Sequence, residues 1–272
     1  MKRLTVFWIA WAGSLIACPA YRPGPYHPRR SAVSGEEVST VPRDIPGLIQ
    51  EADAMVALGP SGPDLNRSLA CADAVLAVQP HHEGAAWRAA RALFFLSFQA
   101  VPEERAALSA RCMDVAKLAT SQGKHAESFY YAALCMGSRA RARNLEGLEL
   151  LPEMVEAGQA ARRINPRIMQ GGPDRLLGGI YLRAPAWPTS VGDLDEALAH
   201  LTTAIELAPD WPENHLLFAE ALIADDRGDE AREVFMRAEV LMKRAEVRGW
   251  LPFWETDVRK LKKQLGCPCA SP

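Results

Sequence analysis

Apolar and small residues recur along the chain with the period of helices that pack in pairs. In the stretch 171–209 they form two rows of contact residues, Leu177, Gly178 and Tyr181 on a first helix and Ala197, Leu201 and Ala204 on a second. Proline suits the first turn of a helix, so we predict that the first helix begins at Pro173. We also predict that the carboxylate of Asp193 caps the second helix and that Pro209 ends it. Small residues let two helix backbones approach while large ones fill the gaps, so the stretch predicts a helical hairpin.

Residues that end helices return at a constant interval. Pro80, Gly123, Pro166 and Pro209 stand 43 residues apart, which indicates one hairpin per interval. The composition agrees, because Ala, Leu, Glu and Arg dominate while β-branched residues are sparse. We therefore predict an all-α fold, a solenoid of stacked tetratricopeptide-like helical hairpins. The predicted hairpins span residues 44–80, 83–123, 125–166, 172–209 and 212–243.

A stack of this kind needs a cap, because its last unit would otherwise leave a stacking face in water. We predict a C-terminal closing helix over residues 255–265, with Trp250, Phe253 and Trp254 packed beneath it. The alternative is that these aromatic residues form a patch that docks a partner.

The turn between the two helices of the fourth hairpin is longer than a standard unit allows. The excess is a loop over residues 184–191, which contains Trp187. Extra length in a repeat protein lies on one face, often the binding face. The loop is therefore a candidate for function.

The start of the chain has the pattern of an export signal. Two basic residues precede an apolar run, residues 4–16, that is too short to span a membrane comfortably. The run ends Leu-Ile-Ala-Cys at residues 15–18, which resembles the lipobox of bacterial lipoproteins. The resemblance implies that residues 1–17 are a lipoprotein signal peptide and that Cys18 is lipidated. An ordinary cleaved signal followed by an incidental cysteine is the alternative.

The amino-acid composition separates the rest of the chain into three segments. Residues 18–43 are rich in proline and predict an extended tether, residues 44–266 the solenoid, and residues 267–272 a short Cys-Pro-Cys tail. The formal net charge of −2 and the lack of a basic run exclude nucleic acid as an expected partner.

Five cysteines follow Cys18, and they cannot all pair with one another. Those inside predicted helices, Cys71, Cys112 and Cys135, are expected to be small apolar fillers. Cys267 and Cys269 flank a proline and could form a small strained ring or bridge another molecule. An exported chain can keep disulfides, so the pairing of all five stays open.

Candidate chemistry is sparse. The run His81-His82-Glu83 follows a helix-ending proline and has no spaced second half, so a solvated loop is favoured over a metal site. Glu196 and His200 lie four apart on one helix, which favours a surface pair over an acid and a base. With no catalytic, metal or cofactor motif, we expect a protein that is not an enzyme and that carries no cofactor.

Three arginines, at 139, 141 and 143, precede four glutamates, at 146, 149, 153 and 156, and such mixed charges are typical of a solvated helix face. A sharper alternative is that these three arginines form a basic rim for carboxylate ligands together with Arg162, Arg163 and Arg175, since arginine favours two-point contacts with carboxylates.

Several short motifs resemble the T component of tripartite ATP-independent periplasmic transporters. They are Gly171-Gly-Pro-x-x-Leu-Leu-Gly, Ala184-Pro185, Gly192-Asp193, His200, Leu207-Ala-Pro209 and the run from Asn214 to Glu220. The similarity is clearest over residues 130–231. It implies a tetratricopeptide-type protein, lipid-anchored in the bacterial envelope and facing the periplasm. It further implies association with the transporter's solute-binding protein and the capacity to form ring-like homo-oligomers.

We therefore expect an exported, membrane-anchored binding protein that acts as an accessory to a transporter. A generic scaffold that organises an envelope complex, with no ligand of its own, is the alternative. The residues expected to contact a partner lie in the inserted loop and the adjoining helix ends: Tyr181, Trp187, Trp211 and His215. For Tyr181 and Trp211, packing between repeats is an equal alternative.

Overall fold

The computed structural model describes residues 44–57, 59, 60 and 62–266. The expected signal peptide, the lipidation site Cys18, the tether and the Cys-Pro-Cys tail lie outside the described residues and stay predictions. The division of the chain into these segments likewise stays a prediction.

Helices make up almost all the secondary structure of the described residues. They are α1 (Ile45–Ala54), α2 (Gly62–Val78), α3 (Glu83–Gln99), α4 (Pro102–Thr120), α5 (Ala126–Arg143), α6 (Leu151–Ile164), α7 (Gly172–Arg183), α8 (Leu194–Leu207), α9 (Pro212–Ala224), α10 (Gly228–Leu241) and α11 (Leu251–Gln264). Short 3-10 turns precede α6, over Asn144–Leu150, and α11, over Ala245–Trp250. No β-strand forms within this part of the chain, which confirms the predicted all-α class.

The helices pack in consecutive pairs. Helix α1 packs on α2, α3 on α4, α5 on α6, α7 on α8 and α9 on α10. Each predicted hairpin holds one of these pairs, so the prediction of five stacked hairpins is confirmed. None of the helices in the described ranges is long and apolar enough to span a bilayer.

Small residues sit where helix backbones come closest. A Cβ atom added to Gly178 of α7 would lie 2.6 Å from Leu201 of α8, and one added to Gly158 of α6 would lie 2.8 Å from Leu177. Leu177 and Leu201 are fully buried. The close approach of helices predicted from glycine and alanine is therefore present at these crossings.

Local signals place the ends of α7 and α8. Helix α7 begins at Gly172, one residue before the predicted Pro173, because Gly171 adopts a left-handed φ of 76° and caps it. As predicted, Asp193 caps α8, with its Oδ1 accepting a hydrogen bond of 3.1 Å from the backbone N–H of Glu196.

The cysteines depart from expectation. Cys112 of α4 and Cys135 of α5 form a disulfide with their Cα atoms 5.4 Å apart, so the expectation that these two are only small apolar fillers is wrong, and the pairing that the sequence left open is resolved for them. The two residues are separated by 23 positions, and they meet because α4 and α5 pack side by side. Cys71 is buried in α2 within a small apolar cluster, as expected of a filler.

The closing helix α11 starts at Leu251, earlier than predicted. Its side chains Trp254 and Leu261, and Leu265 directly after it, are buried against apolar residues of α9 and α10, so the helix covers the end of the last hairpin. Trp250 and Phe253 also pack against the cluster that contains α3. The helix therefore contacts both the end of the stack and its second hairpin.

Candidate functional site

The inserted loop between α7 and α8 is held at its base by backbone hydrogen bonds. The N–H of Gly192 donates to Pro185 over 2.9 Å, and the N–H of Asp193 donates to Tyr181 over 3.0 Å. A Cβ atom at Gly192 would overlap the carbonyl oxygen of Ala184, so only glycine fits there. The loop thus has a fixed base and a projecting tip.

Trp187 lies at the tip of this loop. Its residue surface is 85% exposed, the largest fraction among the exposed large apolar residues of the described ranges. Tryptophan is enriched among the residues that dominate binding energy at protein interfaces. Its ring is therefore available to a partner without rearrangement of the loop.

Tyr181 lies beside the loop on α7 and is half-buried. Its ring stacks on His200 of α8 with centroids 5.7 Å apart. Burial raises the pKa of its hydroxyl, and the nearby Glu196 adds to that effect. Tyr181 thus joins α7 to α8 while keeping part of its ring at the surface.

His200 belongs to a polar cluster built around the buried carboxylate of Asp174. Its Nδ1 lies 2.7 Å from Oδ1 of Asp174, and Nε of Arg162 lies 2.8 Å from the same oxygen. Asp174 is fully buried. Its contacts with Arg162 and His200 therefore join α7 to α6 and α8. The expected surface pair of His200 with Glu196 is replaced by this contact between helices.

The guanidinium of Arg175 is held by partners within the fold. Its guanidinium lies 3.1 Å from Glu213 and donates to Asn214 and to the carbonyl of Met169 over 2.9 and 3.0 Å. Burial would lower the pKa of Arg175, but Glu213 and Tyr130 offset that effect and the pKa lies above its ordinary value.

The proposed rim for carboxylate ligands is not formed by these arginines. Arg175 is buried, and Arg162, although its side chain is 47% exposed, is already paired with Asp174. Arg163 is exposed on the outer side of α6. The solvated or structural interpretation of the charged residues is therefore the better one.

Trp211 and His215 lie inside the C-terminal hairpin. The ring of Trp211 meets those of Trp250 and Trp254 edge to face, at centroid distances of 5.4 and 5.5 Å. His215 is 7% exposed, its Nε2 lies 2.7 Å from the carbonyl oxygen of Pro209, and burial lowers its pKa. Their suggested role as partner contacts stays a prediction, but both side chains already pack against the chain itself.

The run His81-His82-Glu83 at the start of α3 makes hydrogen bonds at the ends of neighbouring helices. His82 caps α3, its Nδ1 accepting from the N–H of Ala85 over 3.0 Å. Glu83 is buried, and its Oε1 accepts from the hydroxyl of Ser128 and the N–H of Lys124 at the start of the next hairpin. The prediction of a solvated loop was therefore wrong for Glu83. Within the described ranges, no three His, Cys, Asp or Glu side chains are grouped so that they could hold a metal ion.

Comparison with known proteins identifies the kind of repeat. The tetratricopeptide repeat family matches residues 190–240, which contain α8, α9 and all of α10 except its last residue. No curated protein matches the chain. The chain therefore contains tetratricopeptide repeats.

The superposition on TTC0263 extends the likeness to most of the chain. TTC0263, a thermophilic TPR protein of Thermus thermophilus, superposes with a TM-score of 0.59 at 19% identity, covering 82% of this chain and 99% of its own. MamA superposes with a TM-score of 0.46 at 16% identity, covering 66% of this chain and 90% of its own. At 19% identity the likeness to TTC0263 shows the fold alone, a solenoid of tetratricopeptide type.

Proposed function

We propose that this protein is a membrane-anchored scaffold in the bacterial envelope that binds the solute-binding protein of a transporter. A tetratricopeptide solenoid supports the general part of the proposal, because stacked hairpins offer an extended surface for protein partners. The particular partner is supported by the motifs that resemble the T component of tripartite ATP-independent periplasmic transporters.

The observation that carries the proposal is the inserted loop with Trp187 exposed at its tip. Loops held by a rigid scaffold are where repeat proteins place binding residues. The backbone bonds at Pro185 and Tyr181 fix the base of the loop, so little conformational entropy is lost when Trp187 is buried by a partner.

Export is supported by a second observation. The disulfide between Cys112 and Cys135 is of a kind that persists in oxidising compartments and is rare in a reducing cytosol. Together with the signal-like start and the lipobox-like motif ending at Cys18, it favours an envelope location.

Co-purification tests the proposal. The full chain, expressed with its own N-terminus, is purified from detergent-solubilised envelopes, and the proteins that accompany it are identified by mass spectrometry. We expect a solute-binding protein to accompany the wild type and to be reduced at least about tenfold with Trp187→Ala, because loss of an interface tryptophan typically costs about 2 kcal/mol or more.

Val78→Ala is the matched control, since Val78 is also a large apolar residue and is 74% exposed on α2. This variant should retain the partner at the wild-type level. Recovery of other envelope proteins in place of a solute-binding protein would favour the generic scaffold, and equal losses in both variants would contradict a role for the loop.

A further inference from the structure

The inserted loop stands beside the first turns of two helices. Ala184 and Val191, at the two ends of the loop, pack against the apolar cluster that contains Leu151 and Met154 of α6. Asp193, directly after the loop, caps α8. The charges carried by the starts of α6 and α8 therefore lie next to the loop.

Tyr181 joins these two helices at the base of the loop. Its side chain hydrogen-bonds Gln159 of α6, and its ring stacks on His200 of α8. Glu196 of α8 is near enough to add to the effect of burial, which raises the pKa of the tyrosine hydroxyl. Glu156 stands three positions before Gln159, so these two side chains share one face of α6. Both helices thus place a carboxylate on the side of the loop.

Five exposed carboxylates border the loop on α8, on α6 and in the turn before α6. We call them the acidic border: Glu149, Glu153, Glu156, Asp195 and Glu196. Within the described ranges, none of the five forms an ion pair with a lysine or an arginine. Two neighbouring arginines do not offset them, because Arg162 pairs with Asp174 and Arg183 pairs with Glu220. The surface around Trp187 therefore carries unpaired negative charge.

An exposed tryptophan beside carboxylates is suited to binding a cation. The face of an indole ring attracts a guanidinium within about 6 Å, and the same guanidinium can bond to a carboxylate. The chain contains this arrangement internally, where the guanidinium of Arg88 lies 4.0 Å from the ring centroid of Trp87 and donates to Asp53 over 2.9 Å. The ring of Trp187 is exposed, so it can accept such a cation from another molecule.

We propose that the inserted loop is a docking surface for a basic segment of a partner protein, in which an arginine stacks on Trp187 and further basic side chains pair with the acidic border. The inference deepens the proposed function, on which it rests for the partner being a protein that binds at this loop. Complementary charge of this kind selects the partner and speeds association. An anionic membrane surface is repelled by the same carboxylates.

Fluorine NMR of the full chain tests this proposal. The chain is labelled with 5-fluorotryptophan and held in a neutral detergent, and the resonance that is missing from Trp187→Phe identifies Trp187. The probe is a synthetic peptide that alternates arginine with serine. We expect it to shift the Trp187 resonance to saturation, and a matched lysine peptide to bind about threefold or more weakly, because an ammonium stacks less well on the ring.

Charge variants locate the binding surface. Glu156→Gln together with Glu196→Gln should weaken binding of the arginine peptide about threefold or more, because each exposed charge pair adds a small favourable contribution. The control carries Glu206→Gln and Glu233→Gln, which remove two exposed charges at the far end of α8 and on α10. The control should bind the peptide with the affinity of the wild type, since exposed charges far from the peptide are screened by salt. Circular dichroism establishes that the variants are folded.

The proposal is overturned if the arginine peptide leaves the Trp187 resonance unchanged, or if the two pairs of variants weaken binding equally. A Trp187 resonance that moves with phosphatidylglycerol vesicles and not with the peptide would assign the loop to a membrane surface and would also overturn it. The titration uses no envelope protein, so its outcome is separable from the co-purification. A solute-binding protein recovered by a chain whose Trp187 ignores the peptide would support the proposed function and reject the basic segment.

Discussion

Asp174 is the clearest case of one side chain that organises its surroundings. It is fully buried in α7 and binds Arg162 of α6 and His200 of α8 through one oxygen. A buried carboxylate is costly unless cations and donors compensate for it, so these partners are required for its burial. The contact fixes the two helices that flank the inserted loop.

We predict that Asp174→Asn lowers the free energy of unfolding by about 1–3 kcal/mol, because it weakens the charge-assisted bonds that the buried carboxylate makes with Arg162 and His200. Urea denaturation at neutral pH measures the change. Asp229→Asn is the control, since the exposed Asp229 also pairs with an arginine, Arg232, at 2.8 Å. A loss no larger than that of Asp229→Asn would show that burial of Asp174 contributes nothing.

Sequence patterns correctly predicted the roles of residues whose partners are close to them in the sequence. Asp193 was identified as a cap because its partner Glu196 is three positions away, and Gly178 because small residues mark helix crossings. The pair of Asp174 with His200 was missed because 26 positions separate them and no local pattern joins them. The available indication in the sequence was Asp174 itself, a charged residue on an otherwise apolar face of α7.

At the scale of helices, the sequence predicted the number and order of the hairpins from helix-ending prolines and glycines. Such residues end a helix through their own backbone geometry, so the helices end near these positions in the structure. The contact of α11 with α3 could not be predicted this way, since it depends on how far the whole stack curves. The disulfide between α4 and α5 was missed for a similar reason, because a cysteine in a helical stripe has the same pattern whether or not it pairs.

We predict that the disulfide contributes about 2–4 kcal/mol to the stability of the fold, mainly by restricting the unfolded chain between Cys112 and Cys135. The double variant Cys112→Ala, Cys135→Ala should show this loss in urea denaturation. Dithiothreitol should lower the melting temperature of the wild type and leave that of the double variant unchanged. An equal effect of dithiothreitol on both proteins would contradict the prediction.

The ion pairs between α7, α9 and α11 predict a dependence of stability on pH. Burial alone would raise the pKa of Glu220, but Arg183 and Lys260 lower it to about 2. An acid with a lowered pKa stabilises the fold above its ordinary pKa, and this contribution disappears as the pH falls toward the folded value. Asp257, whose pKa is raised by burial, faces the same Arg183 and acts in the opposite direction.

Glu220→Gln isolates the contribution of this carboxylate. We predict a loss of roughly 3 kcal/mol at pH 7, which shrinks by more than half at about pH 3, because at that pH the glutamate is protonated in the unfolded chain and must lose its proton when the protein folds. Urea denaturation of both proteins at the two pH values measures it. Glu230→Gln, at an exposed glutamate paired with Arg227, should have little effect at either pH. A difference between wild type and Glu220→Gln that does not vary with pH would refute this assignment.

For the whole molecule, the sequence predicted the fold better than the surface. Tyr181 and Trp187 lie at or near the surface of the inserted loop, whereas Trp211 and His215 pack within the last hairpin. All four are large residues near turns, and a sequence does not distinguish a turn that projects from one covered by a later helix. Here α11 and the turn before it supply that cover for Trp211.

The proposed membrane attachment concerns the whole molecule. We predict that the wild-type chain fractionates with membranes and incorporates radiolabelled palmitate, since several acyl chains anchor a protein durably. Cys18→Ser should remove the label and release the chain to the soluble envelope fraction or leave it with an uncleaved signal. Labelling that persists in Cys18→Ser would contradict lipidation at this residue.

The central claim is that this solenoid works by binding another envelope protein at the inserted loop. Chemical cross-linking of intact cells, followed by purification of the wild-type chain and mass spectrometry of its cross-linked peptides, tests it most directly. The account predicts cross-links that join peptides around residues 184–193 to a solute-binding protein. Cross-links to that protein from the opposite end of the stack alone, or none to any envelope protein, would contradict it.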